Sequence, residues 1–230
     1  MTDAHCHVAS GETRHFLCGD AAFPDVAFYG VHPWDVAAIE PDAAKLRTWL
    51  EAKLDAHPRA GVGEIGLDRL KDREISPWMR EAFRVQLAVA VERGLPVVLH
   101  GAKCWGQVVR EIRSLLPTVP PFHHSTIPPF LFHGFSRSDG LIPDIVALNG
   151  YVSVGPAVLN DHAVNYRELV RKLPLDRLLV ESDRTAENAA ETPSVREIAV
   201  KVAELRGLPL ENLLETLEIN ADNMIKSLLS

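Results

Sequence analysis

Short apolar runs alternate with amphipathic stretches along this 230-residue chain. The runs predict strands near 2–6, 15–18, 26–31, 60–65, 95–100, 129–133, 149–154 and 177–181. Between them the three- and four-residue spacing of apolar positions predicts helices near 41–55, 77–93, 104–115, 137–148, 161–172 and 194–205. The clearest is 77–93, where Trp78, Phe83, Leu87, Ala90 and Val91 share one face and Gly94 supplies the stop. After a turn through Gly207-Leu208-Pro209 the tail reads as two short helices. Strand–helix alternation without a linker predicts one domain over 1–230, an α/β fold of the (β/α)8 TIM-like barrel type. Residue 31 already ends the third run, so the first helices must be short or missing and the barrel distorted in its first quarter.

Several of these runs end on polar side chains. His5 and His7 stand two apart in the first, so a strand would aim both imidazoles at one point. Glu64 lies in Gly61–Asp68, His100 ends the run from Leu95, His133 follows Phe130-Leu131-Phe132, and Glu181-Ser182-Asp183 closes the last. Charged groups and imidazoles at successive strand ends build a poor core. They build a good polar cluster at the carboxyl end of a parallel barrel, and imidazole with carboxylate suits a divalent cation.

Composition narrows the class. A hydrophobic fraction of 47% supports one sizeable core, and a net charge of −7 argues against a surface that coats nucleic acid broadly. Three cysteines, Cys6, Cys18 and Cys104, have no disulfide-scaffold spacing, which sets a reducing cytoplasm as the expected location. No window reaches the roughly 20 apolar residues of a membrane span. Oligomeric state is not legible. Pro117–Pro129, with His123 and His124, reads as a loop, and the two histidines as surface groups.

The motifs Asp3-Ala4-His5-Cys6-His7, Gly30-Val31-His32-Pro33-Trp34, Gly63-Glu64-Ile65-Gly66-Leu67-Asp68, Pro96-Val97-Val98-Leu99-His100, His133-Gly134-Phe135-Ser136 and Glu181-Ser182-Asp183 stand in the order found in TatD-type metal-dependent hydrolases of the amidohydrolase-like superfamily. The chain resembles that family from residue 3 to Asn220-Ala221-Asp222-Asn223. The resemblance implies one or two divalent ions, Mg, Mn or Zn. His5, His7 and Asp183 would hold the first, His100 and His133 the second, and Glu64 would bridge them. Metal-activated water would cleave a phosphodiester in DNA or a small nucleotide, with Asp183 and Glu64 as catalytic groups. His32, Lys103 and Arg69 are the expected substrate contacts; Asp68 reads equally as a loop-orienting acid or a solvated one, and Glu181 as support or packing. Two departures alter the substrate loops: Ala102 stands where many relatives carry arginine, and Arg184–Asn188 replaces a more apolar segment. A metal-dependent hydrolase of carboxylic esters, lactones or amides, such as an aminoacyl ester, is the alternative. A metal-stabilised binding protein without turnover is the remote one.

Overall fold

The computed structural model describes the chain except residues 12, 23, 72, 120–126 and 230. His123 and His124 therefore lie outside the described residues. The strands are β1 (Thr2–Cys6), β2 (Arg14–Cys18), β3 (Val26–Tyr29), β4 (Gly61–Asp68), β5 (Val97–Ala102), β6 (Phe130–Phe132), β7 (Gly150–Val154) and β8 (Leu178–Val180). They pair in sequence order, every pair parallel, as one eight-stranded sheet. The helices are α1 (Ala43–Ala56), α2 (Pro77–Arg93), α3 (Trp105–Leu115), α4 (Ile142–Ala147), α5 (Val164–Lys172), α6 (Val195–Arg206) and α7 (Leu210–Leu229).

Local chemistry fixes the helix ends. Ser76 caps α2 through Met79 N with Pro77 in the first turn, and Gly94 ends it in the left-handed conformation. Ser194 and Glu197 form a reciprocal capping box on α6. Among the described residues no helix lies between β1 and β3, as the early third run requires.

The sheet has two apolar sides. Outside, α1, α2, α3, α5 and α6 bury Leu50, Phe83, Leu87, Ile112, Val170 and Ile198 against the strands. Inside, Ala4, Phe16, Phe28, Val98, Leu131, Tyr151 and Leu179 form a second cluster with Ala221, Met224, Ile225 and Leu228 of α7. The C-terminal helix thus packs onto the barrel interior away from the polar strand ends.

Two expectations are corrected. The helix expected over 137–148 divides into a 3-10 turn, Asp139–Leu141, and the short α4, because Pro143 fits only a first helical turn. The tail is one continuous helix rather than two. Its buried stripe, Leu213, Leu217, Ala221, Met224 and Leu228, runs through the polar Asn220–Asn223 segment without a break. Asn220 does not interrupt it, since its Nδ2 donates to the carbonyls of Leu175 and Leu178 at 2.7 and 2.8 Å.

Candidate metal centre

The barrel closes where β8 meets β1, and this seam carries three of the candidate ligands. Asp183 N donates to His5 O at 3.1 Å and His7 N to Arg184 O at 2.8 Å. Below them Asp3, 2% exposed, accepts from Ser182 N at 2.9 Å and from Ser182 Oγ at 2.5 Å. Burial raises the Asp3 pKa from its ordinary value. The seam therefore holds the His5–His7 pair and Asp183 together through backbone bonds that do not depend on their side chains.

Glu64, projecting from β4, is the hub. Its Oε1 lies 2.7 Å from His100 Nδ1 on β5 and 2.8 Å from His133 Nε2 just after β6. Its Oε2 lies 3.5 Å from His5 Nε2 and 3.6 Å from His7 Nε2. His5 Nε2 is also 3.5 Å from Asp183 Oδ1, whose side chain is half exposed at the mouth. The carboxylate thus turns one oxygen to each histidine pair, and the six residues expected to gather do gather. Among the described residues of this cluster, three triads have donor atoms close enough for a shared ion: His5, His133 and Asp183; His5, His7 and Glu64; and His32, Glu64 and His100.

A cation fits this donor set on an independent ground. His5 Nε2 is buried, faces two carboxylates and has no hydrogen-bond partner. An orphaned polar atom at such a place costs free energy unless something occupies the gap. Burial opposes ionisation of Glu64, but the charges of His133 and His5 and the hydrogen bonds from His100 and His133 hold its carboxyl well below the usual range. Asp183 follows the same balance: burial raises it most, but the neighbouring His5 and the charge of His133 together outweigh burial and leave it at about 2. His133 moves oppositely, its burial outweighed by the Glu64 and Glu181 charges, so its pKa is well above normal. The negative hub holds protons on His100 and His133, which is the electrostatic state a divalent cation would displace.

A second layer fixes these side chains. Asp68, fully buried at the end of β4, lies with its Oδ2 2.7 Å from His100 Nε2 and accepts from Trp34 Nε1 at 2.9 Å. Its Oδ1 accepts from Leu70 N and Lys71 N at 2.6 and 2.8 Å. Asp68 is therefore a buried orienting acid, not a solvated loop residue. Glu181 accepts from Gly134 N at 2.7 Å and from Ser153 Oγ, and its Oε1 is 3.6 Å from His133 Nδ1. His32 enters the cluster, with Nε2 3.3 Å from His100 Nδ1 and 3.5 Å from Glu64 Oε1.

Arg69 and Lys103 are exposed at the same strand ends, but Arg69 Nε is engaged by the carbonyl of Arg73. Cys6 is fully buried beside Asp3 and His15, and burial pushes its thiol up, which makes it inert. No role is assigned to Arg137 or His162 from the sequence. Both line a cleft of about 930 Å³ that opens beside Asp183 between the segments following β6 and β7. The signal for Arg137 was its place four residues after His133; nothing in the sequence marked His162.

An eight-stranded parallel barrel with a histidine–carboxylate cluster at its carboxyl mouth defines a metal-dependent hydrolase of the amidohydrolase-like class. The chain belongs to the TatD family: residues 15–226 match the family described as "TatD related DNase". It is 28% identical over 209 residues to the "Uncharacterized metal-dependent hydrolase YabD" of Bacillus subtilis, covering 87% of this chain and 77% of that protein. It is 27% identical over 229 residues to the "3'-5' ssDNA/RNA exonuclease TatD" of Pectobacterium carotovorum, covering 94% and 84%. The crystal structure of YJJV, a TatD homologue from Escherichia coli, shares the fold with a TM-score of 0.78 at 21% identity, covering 97% of both chains. The family match begins after His5 and His7, so the argument for that pair rests on the geometry around Glu64. No helix among the described residues is long and apolar enough to cross a membrane.

Proposed function

We propose that this protein hydrolyses phosphodiester bonds in single-stranded DNA or small nucleotides with the help of one or two divalent cations. The observation that carries the reading is the division of Glu64, one oxygen toward His100 and His133 and the other toward His5 and His7. In this reading His5, His7 and Asp183 would hold one ion and His100 and His133 the other, with Glu64 serving both. Bound cations supply a lowered pKa to water and neutralise charge on the phosphoryl oxygens.

The chain's own groups do the rest. Asp183, ionised at neutral pH and half exposed, accepts the proton of the attacking water. Asp68 and Glu181 keep the His100 and His133 rings aimed at Glu64. His32, beside both Glu64 and His100, contacts the substrate at the inner edge of the mouth, with Lys103 and Arg69 at its outer edge. The names of relatives that act on single-stranded DNA and RNA support the choice of substrate class.

The test is product analysis on 3′-labelled single strands with Mg, Mn or Zn, run beside a panel of aryl esters and lactones. Shortened strands are expected. Ester or lactone cleavage without strand shortening at any metal concentration would overturn the reading in favour of a carboxylic ester hydrolase, the direction in which Ala102 at the end of β5 points.

A further inference from the structure

We propose that the 930 Å³ cleft beside Asp183 seats the nucleotides flanking the scissile phosphodiester, with Arg137 clasping a backbone phosphate; this rests on the phosphodiesterase reading above. The cleft is continuous with the metal centre, since Asp183, Glu181 and Gly134 are part of its wall. Its volume is at the upper end of what small-molecule sites offer, roughly 300–1,000 Å³, and exceeds what one phosphate needs. Its lining offers phosphate donors in Ser136, Arg137 and Ser138 on one side and His162 and Asn165 on the other. Of its carboxylates, Asp139 and Glu168 are paired with Lys172 and Arg171, Glu181 is engaged by Gly134 N and Ser153 Oγ, and Asp183 belongs to the metal centre.

Arg137 is the informative residue. Among the described residues its guanidinium has no hydrogen bond or ion pair, whereas Lys172 in the same cleft is held by Asp139 at 2.8 Å. The backbone of Arg137 has φ 58°, the left-handed region where glycine is at home. A branched-chain cost is absent there, but any side chain costs about 1 kcal/mol relative to glycine. The chain thus keeps a long, unpaired cation at a backbone position that disfavours a side chain, on the rim of a cleft opening onto the metal ligands. Lys103, at φ 56°, repeats the pattern three residues after His100. Two unpaired cations in this conformation follow the two histidines that face Glu64 Oε1, and a guanidinium fork matches phosphate oxygens in a bidentate manner.

The test uses R137G, which removes the side chain and also the backbone strain, so folding is retained and the melting temperature should stay equal or rise. The metal-loaded enzyme is assayed on oligothymidylate and on an aryl phosphodiester that has no flanking nucleotides. For R137G the KM on oligothymidylate should rise about tenfold with kcat within about twofold, the loss on the aryl diester should be smaller, and R137K should recover part of the affinity. The slope of log KM against log salt should fall by about one. Equal losses on both substrates, or no loss on either, would overturn the cleft assignment while leaving phosphodiesterase activity standing. A wild-type enzyme that cleaves neither substrate would overturn the functional reading itself, and the cleft assignment with it.

Discussion

At the scale of single residues, Asp68 decides which nitrogen of His100 is available. Every group facing its carboxylate is a donor: Trp34 Nε1, Leu70 N, Lys71 N and His100 Nε2. Because an ionised carboxylate only accepts, Asp68 keeps a proton on His100 Nε2, so Nδ1, which donates to Glu64 in the metal-free cluster, is the nitrogen that would give up its proton to a cation. Asp68→Asn substitutes an amide donor among these donors and favours the opposite tautomer. We expect D68N to fold and to lose about 10- to 100-fold in affinity for a divalent probe such as Mn, measured by calorimetry. An unchanged affinity would mean that His100 is oriented by packing alone. Glu64→Gln should be more severe, abolishing measurable turnover and weakening both ion sites together, because both histidine pairs face this one carboxylate.

At the scale of elements, the mouth is assembled by strand register. Gly66 pairs with His100 across β4 and β5, and a Cβ placed on it would come within 2.0 Å of the His100 carbonyl oxygen. That neighbour is backbone, so Gly66→Ala must push β5 away and carry His100 with it. The expected result is loss of metal binding with clear destabilisation, read by metal titration and urea unfolding in parallel. The β8–β1 seam makes a second prediction. Asp3→Ala leaves Ser182 N and Oγ buried without their acceptor, which should cost about 3 kcal/mol in urea unfolding and loosen the His5–Asp183 approach.

At the scale of the whole molecule, the centre links metal, protons and stability. The folded pKa of His133 is raised, so in metal-free protein its contribution is complete below the unfolded histidine value of about 6.5 and is lost as pH rises through the higher folded value. The melting temperature of metal-free protein should therefore decline as pH rises above about 6.5. A divalent ion that binds only the folded state, at a hundredfold excess over its Kd, should add about 2.7 kcal/mol, or roughly 5–10 °C for a domain of this size. Because the ion competes with protons for the same nitrogens, its stabilisation should grow with pH. A pH-independent metal effect in differential scanning fluorimetry would place the ion away from this cluster.

The chain by itself determined the strand–helix alternation, the helix over Pro77–Arg93 with its Gly94 stop, and the residue types that end β1, β4, β5 and β8. Those features are local: periodicity, caps and the polarity of a strand end act within a few residues of sequence. The break at Pro143 is equally local, a proline confined to a first helical turn, whereas the unbroken α7 depended on what it packs against, since Asn220 is tolerated only because two carbonyls from the β8 approach receive its amide. Tertiary structure alone decided that Asp68 is buried rather than solvated, that Glu64 divides its oxygens between two histidine pairs, and that Arg137 overlooks a cleft. Each of these joins residues from different strands. Closing the barrel brings those strands together, and no spacing along one strand encodes what its neighbour will present.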